Sequence, residues 1–236
     1  MTSLTDIGIK YNTDKVDSAH TWFNKNYMNI YEKYFEPLRD KPIRILEIGV
    51  LNGSSIKTWK EYFSNAEVHG IDIQPSCKNV EDTDTNIFIH ILDCSSNDQL
   101  QMFVNKFSGY FDIILDDGSH INDITLKTFQ FLYKCLKPES YYIIEDLGCA
   151  YIGDEMKLYG SNWPGHYLMN PTSITSNNPS TMLDLYRDIH IMIDNPTSRN
   201  VYQIEYLHHY PYIMILRRND YHIAHNGPYI HYPPLR

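Results

Sequence analysis

The sequence predicts an α/β protein, a doubly wound domain on a mostly parallel sheet that ends in an antiparallel hairpin. Three observations carry that expectation. From Ile43 onward, short apolar runs alternate with amphipathic ones, the pattern of βαβ units. A glycine turn, Gly49 to Gly53, joins the first apolar run to the first helical one. Two acidic pairs, Asp116-Asp117 and Glu145-Asp146, close two later runs, where central parallel strands deliver side chains to a crevice beyond their carboxyl ends.

The elements follow in order. Residues 1–41 are a polar, aromatic-rich lead-in, expected to form a helical lid segment. Tyr27, Ile30, Tyr31 and Tyr34 recur at helical spacing and predict a helix over about 22–35, closed by Pro37 and Pro42. Strands are expected at 43–48, 67–73, 86–92, 110–115 and 140–145, with helices at 54–63, 96–107 and 122–136. Residues 147–178 hold Gly, Pro, Asn, Ser and Tyr without a sustained period and read as a long loop, the form of a substrate lid. A helix is expected at 180–193. Strands 201–207 and 211–218 then form a hairpin through His208-His209-Tyr210. The tail through Tyr232-Pro233-Pro234 is extended.

At 236 residues, with 42% hydrophobic and 21% charged residues, the chain suits a single globular domain over 1–236. A net charge of −9 argues against a nucleic-acid partner, which needs clustered Lys and Arg. No apolar run approaches a membrane span, and the polar N-terminus does not read as a signal peptide. Cys77, Cys94, Cys135 and Cys149 lack CxxC spacing, so they suit a reducing cytoplasm better than a zinc or redox site.

The glycine turn points to a nucleotide-like cofactor. Gly49 and Gly53 let backbone approach a ligand closely, Val50 lies between them, and Ser54 or Ser55 can cap the following helix. Asp72, at the end of the second strand beside Ile73, stands where a carboxylate accepts hydrogen bonds from ribose hydroxyls, and Asp93 ends the third strand. A dinucleotide would need a middle glycine where Leu51 stands, and Glu47 would repel its phosphates. S-adenosylmethionine carries no phosphate, and its ammonium suits acidic neighbours. The carboxylates therefore favour S-adenosylmethionine over NAD.

The segment Glu47 to Gly53, Asp72 and the pair Asp116-Asp117-Gly118-Ser119-His120 and Ile143-Ile144-Glu145-Asp146 resemble class I S-adenosylmethionine-dependent methyltransferases. More narrowly, they resemble the metal-dependent macrolide-sugar and rhamnosyl O-methyltransferases, within a wider group that includes proteins named for cephalosporin hydroxylation. The lead-in Tyr11-Asn12-Thr13-Asp14-Lys15, with His20, Tyr27 and Tyr31, is similar to that family's N-terminal pattern. The resemblance covers roughly residues 8–160. It implies a Rossmann-like seven-stranded sheet of order 3-2-1-4-5-7-6, Mg²⁺ (or Mn²⁺) on Asp117, Glu145 and Asp146, and His120 as base. Thr13 is a candidate cofactor contact in that lead-in, His20 could fold over the cofactor or lie on the surface, and the resemblance suggests a homo-oligomer. Some relatives carry a His one residue after the Glu-Asp pair, where this chain has Gly148.

The chemistry fits those residue types. A sugar hydroxyl is a very weak acid, and a divalent cation lowers its pKa and fixes its lone pair. Oxygen-rich corners suit hard cations, and His120 offers a neutral imidazole beside one. Asp116 would face the cofactor sulfonium or hold the turn. The bland alternative makes Asp117 or Ser119 a cap of the helix near Asn122. In the lid loop Tyr151, Tyr159 and Trp163 could stack on the acceptor or pack on the scaffold. Lys15 could fold over the cofactor or lie on the surface. A catechol-type O-methyltransferase is the nearest rival, and there a lysine near the metal commonly serves as base. A non-catalytic cofactor-binding module is another.

Overall fold

The structure is a computed structural model that describes residues 1–16, 26–147, 189–190 and 203–219. The expected lid, apart from Leu147, lies outside these residues, as do the tail, His20, Tyr151 and Tyr159. Of the expected helix at 180–193, only Ile189 and His190 are described, and both are helical. Among the described residues, no helix is long and apolar enough to cross a membrane.

Two helices open the chain. Helix α1, Leu4–Tyr11, begins at a Ser3/Asp6 capping box and ends on left-handed Asn12. The lead-in conceals it because its apolar face, Leu4 and Ile7, is only two residues deep. Helix α2 spans Met28–Phe35, later than the expected start: residues 22–25 lie outside the described ones, Asn26 is not helical, and Tyr27 is the N-cap rather than a helical residue. Strand β1 (Arg44–Ile48) leads through the glycine turn into α3 (Ser54–Tyr62) and β2 (Glu67–Asp72). A 3-10 segment over Pro75–Val80 precedes β3 (Ile87–Ile91). Helix α4 (Asn97–Phe107), β4 (Phe111–Asp116), α5 (Asn122–Leu132) and β5 (Leu136–Ile144) follow.

Strand β5 starts four residues before the expected 140, because a bulge opposite Phe111–Ile113 takes up Pro138 and left-handed Glu139 without ending the pairing. The last two strands, β6 (Ile204–Tyr210) and β7 (Ile213–Arg218), pair from Tyr210 to Ile213. The turn is therefore Pro211-Tyr212, and His208, His209 and Tyr210 are strand residues rather than the connection. Proline pre-sets the first turn position and Tyr212 takes the left-handed second one, at φ 68°.

The seven strands form one sheet in the order β3-β2-β1-β4-β5-β7-β6, the order that the resemblance implies. β1 to β5 run parallel, and β7 is antiparallel to both of its neighbours. The period of two sorts the strands onto two cores. Ile45, Ile113, Leu115 and Ile143 pack with α1, α2 and α3, around Tyr31, Phe35, Trp59 and Phe63. Leu46, Ile114, Tyr142 and Ile144 pack with α4 and α5. Phe35 and Phe63 are wholly buried, each worth about 1.5–3 kcal/mol of transfer free energy. The strand order reverses between β1 and β4, the place at which open α/β sheets bind ligands beyond the carboxyl ends of their strands.

A polar chain crosses the α4 face. Tyr110 donates to Glu67 Oε1 at 2.5 Å, and His69 Nε2 meets the same oxygen at 2.7 Å. That contact makes His69 Nδ1 the acceptor from His90 Nε2, 2.8 Å away. Burial, reinforced by His69, Lys106 and Lys78 and opposed by Glu81, pushes the His90 pKa down to about 4. A pKa lowered on folding contributes stability above the ordinary histidine value, about 6.5, and loses it as pH falls towards 4. Between about pH 7 and 4.5, urea unfolding of the wild type should lose about 1–2 kcal/mol more than that of His90→Asn, after discounting for partial exposure. Equal losses would assign the acid sensitivity to other groups.

Candidate active site

Alternation along the strands decides which carboxylates meet. Glu47 and Glu145 continue the face of Ile45 and Ile143, and point under α3 and the N-terminal segment. Asp116 continues the opposite face, where the Tyr142 hydroxyl donates to it at 3.5 Å. Asp117 and Asp146 stand beyond the strand ends. The main chain ties these ends together: Asp117 N–H donates to Ile48 O at 3.0 Å, and Glu145 N–H to Asp116 O at 2.9 Å.

The glycine turn is fitted against this corner. Gly49 has φ 93°, and a Cβ there would lie 2.1 Å from the Asp117 carbonyl oxygen. Only glycine allows both the left-handed backbone and the approach. Asp72 organises the same turn, its Oδ2 accepting from Val50 N at 2.9 Å and Leu51 N at 3.1 Å, and its Oδ1 from Gln74 N at 2.8 Å. Burial works against its charge, yet these backbone N–H groups hold the carboxyl below its ordinary range. The Val50 side chain is in the core, so only its backbone borders the turn, while Ile73 is exposed just past β2. Asp93 lies two residues past β3, and its Oδ1 accepts from Ser95 N at 2.7 Å. Neither Ser54 nor Ser55 caps α3. Asn52 Oδ1 accepts from Ser54 N at 3.0 Å instead, and Ser55 donates to Glu47 Oε2 at 2.7 Å. Nor does Asp117 or Ser119 cap α5, which starts after Ile121 with no side-chain cap.

Three groups converge beyond β4 and β5. One ligand atom each of Asp117, His120 and Asp146 lies within 4.8 Å of the others. His120, left-handed at φ 52°, places Nε2 3.6 Å from Asp117 Oδ1 and 3.9 Å from Asp146 Oδ2. The Tyr27 hydroxyl donates to Asp146 Oδ1 at 2.6 Å and fixes it from the N-terminal segment. Glu145, expected beside these groups, faces inward and is buried, and its Oε1 has no hydrogen-bond partner. The Tyr31 hydroxyl lies near Glu145 without making a regular hydrogen bond. Burial raises the carboxyls of Glu145 and Asp117, although Lys15 works against the rise. Asp116, buried on the other face, is pushed up to about 7.

Lys15 is the residue whose place the sequence left open. It is 2% exposed, with Nζ 2.9 Å from Glu145 Oε2 and 3.4 Å from Glu47 Oε1, and it also contacts Asp117 Oδ2. Burial disfavours its charge, but Asp117, Glu145 and Glu47 outweigh that and hold the ammonium well above the ordinary lysine pKa. Glu47 was the available signal. A carboxylate inside the strand Ile45-Leu46-Glu47-Ile48 demands a buried cation or donors. It finds Lys15, Ser55 and, at 3.2 Å, the Trp59 indole N–H. Glu47 thus lies beneath the turn, pushed up to about 7 by burial. Thr13 is also buried, and its Oγ1 makes a 3.4 Å hydrogen bond to Asp14.

The donor set fits a hard divalent cation. Asp117, His120 and Asp146 form the group that could hold one, whereas Glu145, expected among the ligands, stands outside that group, its buried Oε1 without a hydrogen-bond partner. Asp117 and Asp146 supply the open oxygens, and His120 stands beside them.

No protein-family model matches the chain. Its sequence is 31% identical over 169 residues to demethylmacrocin O-methyltransferase of Streptomyces fradiae, covering 69% of this chain and 38% of that protein. It is 30% identical over 171 residues to mycinamicin VI 2''-O-methyltransferase of Micromonospora griseorubida, covering 69% and 37%. The chain thus spans less than two fifths of the length of these relatives. The crystal structure of the MycE methyltransferase from the mycinamycin biosynthetic pathway, in complex with Mg, SAH and mycinamycin VI, superposes with a TM-score of 0.75 at 25% identity. That match covers 92% of this chain and 54% of MycE. Over the part of those proteins that it spans, the chain is similar in sequence to these O-methyltransferases, and it carries the α/β methyltransferase fold of MycE.

Proposed function

We propose that the chain transfers a methyl group from S-adenosylmethionine to a hydroxyl of a sugar, with Mg²⁺ or Mn²⁺ held by Asp117, Glu145 and Asp146. The observation that carries this reading is the convergence of Asp117, His120 and Asp146 one backbone contact away from the glycine turn. The names of further relatives, which specify a rhamnosyl or an olivosyl group, support the substrate class. When bound, the cation supplies positive charge that makes an acceptor hydroxyl more acidic. His120 accepts the hydroxyl proton while the oxygen attacks the methyl carbon; the O–CH₃ bond forms, the O–H and S–CH₃ bonds break, and the S–C electron pair stays on sulfur, which leaves as the thioether S-adenosylhomocysteine. Asp117 lies near one ring nitrogen and limits the directions the imidazole can take. The glycine turn and Asp72 position the methyl donor.

Lys15 does not take the base role that a lysine serves in catechol-type enzymes. Three carboxylates surround its ammonium and keep it protonated, and it is shut away from solvent. His120, at the mouth of the corner, is the better placed acceptor. We also propose a cytoplasmic, homo-oligomeric protein, in keeping with the free thiols of Cys77, Cys94 and Cys135.

Incubation with S-adenosylmethionine, Mg²⁺ and a panel of free, nucleotide-linked and glycosidic sugars tests the assignment by mass spectrometry. Addition of one methyl group to a sugar is the expected result. Methylation of catechols alone would transfer the reading to that class, and cofactor binding without any product would make the chain a binding module.

A further inference from the structure

We propose that Lys15 is a resident counter-cation of the carboxylate corner, a positioning residue that competes electrostatically with the divalent cation and so sets how tightly the corner binds it. The proposal rests on the metal reading above. Its basis is the division of the two Asp117 oxygens. Oδ2 contacts the Lys15 ammonium in the interior, and Oδ1 turns outward, 3.6 Å from His120 Nε2. The same ammonium lies 2.9 Å from Glu145 Oε2, while the other Glu145 oxygen is buried and unpartnered. Two of the three carboxylates assigned to the metal thus already share a cation of the chain's own.

The formal charges give the direction of the effect. Glu47, Asp117, Glu145 and Asp146 bring four negative charges when ionised, and Lys15 reduces the total to three. A divalent ion added to the corner is repelled by the ammonium across one carboxylate. Without the ammonium that repulsion is absent, and the ion itself becomes the cation that keeps the inner carboxylates ionised. The position of Lys15 is tied to the segment that also secures Asp146. Tyr27 N–H donates to Lys15 O at 2.9 Å, and its hydroxyl reaches Asp146. Tyr27 thus fixes both the Lys15 backbone and Asp146, and the ammonium neutralises inner carboxylates that would otherwise be buried without a partner.

Lys15→Gln keeps a donor of similar reach and removes the charge, and Lys15→Arg keeps the charge. Calorimetric titration with Mg²⁺ alone should give an affinity at least about tenfold tighter for Lys15→Gln than for wild type, with Lys15→Arg near wild type. A tenfold change is a modest part of the repulsion between a single and a double charge one carboxylate apart at an effective dielectric constant of about 20. Thermal unfolding should show the same coupling: Lys15→Gln melts lower than wild type without Mg²⁺ and gains more on its addition. A variant that folds only with Mg²⁺ is the same result in stronger form. Equal or weaker Mg²⁺ affinity in Lys15→Gln overturns the proposal, as does failure to fold even with Mg²⁺. If the wild type itself binds no Mg²⁺, the metal reading fails and the proposal with it; wild-type binding with no gain in the variant removes the proposal alone.

Discussion

Excess EDTA is expected to reduce methyl transfer to background, and Mg²⁺ or Mn²⁺ added beyond the chelator to restore it. The expectation follows from the charge of the corner. Asp117 and Asp146 face the same small space, and a hydroxyl entering it would meet two carboxylates whose field opposes loss of a proton. The proposed reaction needs the opposite field. Lys15 cannot supply it, because it sits behind Asp117 and Glu145. Cofactor binding should survive chelation, since the turn from Gly49 to Gly53 is organised by Asp72 and not by the acidic pairs. Calorimetry with S-adenosylmethionine in EDTA separates the two effects. Undiminished turnover in chelator would remove the metal-assisted mechanism, whereas loss of cofactor binding as well would mean that the metal also shapes the cofactor site.

The sheet was legible because its signals are local. Apolar runs of five or six residues, a glycine turn and acidic strand ends give element type and order, and β1 to β4 lie within a residue or two of their expected bounds. The errors came where one residue type served a less usual purpose. Pro138 reads as a strand breaker and sits in a bulge; Pro211 starts the hairpin turn, although the adjacent histidines look more like loop. Helix α1 has a capping box that could have been read, yet its polar composition concealed it.

Within the site, the acidic pairs could be found from sequence, but not which face each carboxylate takes. Glu145 and Asp146 are neighbours, and one is buried beside Lys15 while the other is fixed by Tyr27 at the mouth. Alternation predicts the split once the strand register is known. The partner of Glu47 is a harder case, because Lys15 is 32 positions away in a polar segment with no period of its own. A buried carboxylate in a strand tells that a cation must exist without telling which one.

His120→Ala is expected to lower kcat by about 10²–10⁴-fold, the usual contribution of a general base, while Mg²⁺ and cofactor still bind. His120 is the group at the corner that can hold a proton without giving up a place on the cation: Asp117, Glu145 and Asp146 are the oxygens a hard ion prefers. Its left-handed backbone at φ 52° brings the ring back towards Asp117, and Gly118 makes the turn possible, since a Cβ there would lie 2.9 Å from Ile48 Cγ2. The chain thus accepts an unfavourable conformation at this position, as functional sites often do. The His120 ring also lies within reach of both carboxylates, so a ligand role competes with the base role. Steady-state kinetics together with Mg²⁺ calorimetry decide between them. A large loss of kcat with Mg²⁺ affinity retained identifies His120 as the proton acceptor. Loss of Mg²⁺ binding makes it a ligand alongside Asp117 and Asp146, and returns Glu145 to a purely internal partnership with Lys15. Near-normal kcat would assign the proton to a carboxylate, and the imidazole would then serve only to line the acceptor's approach.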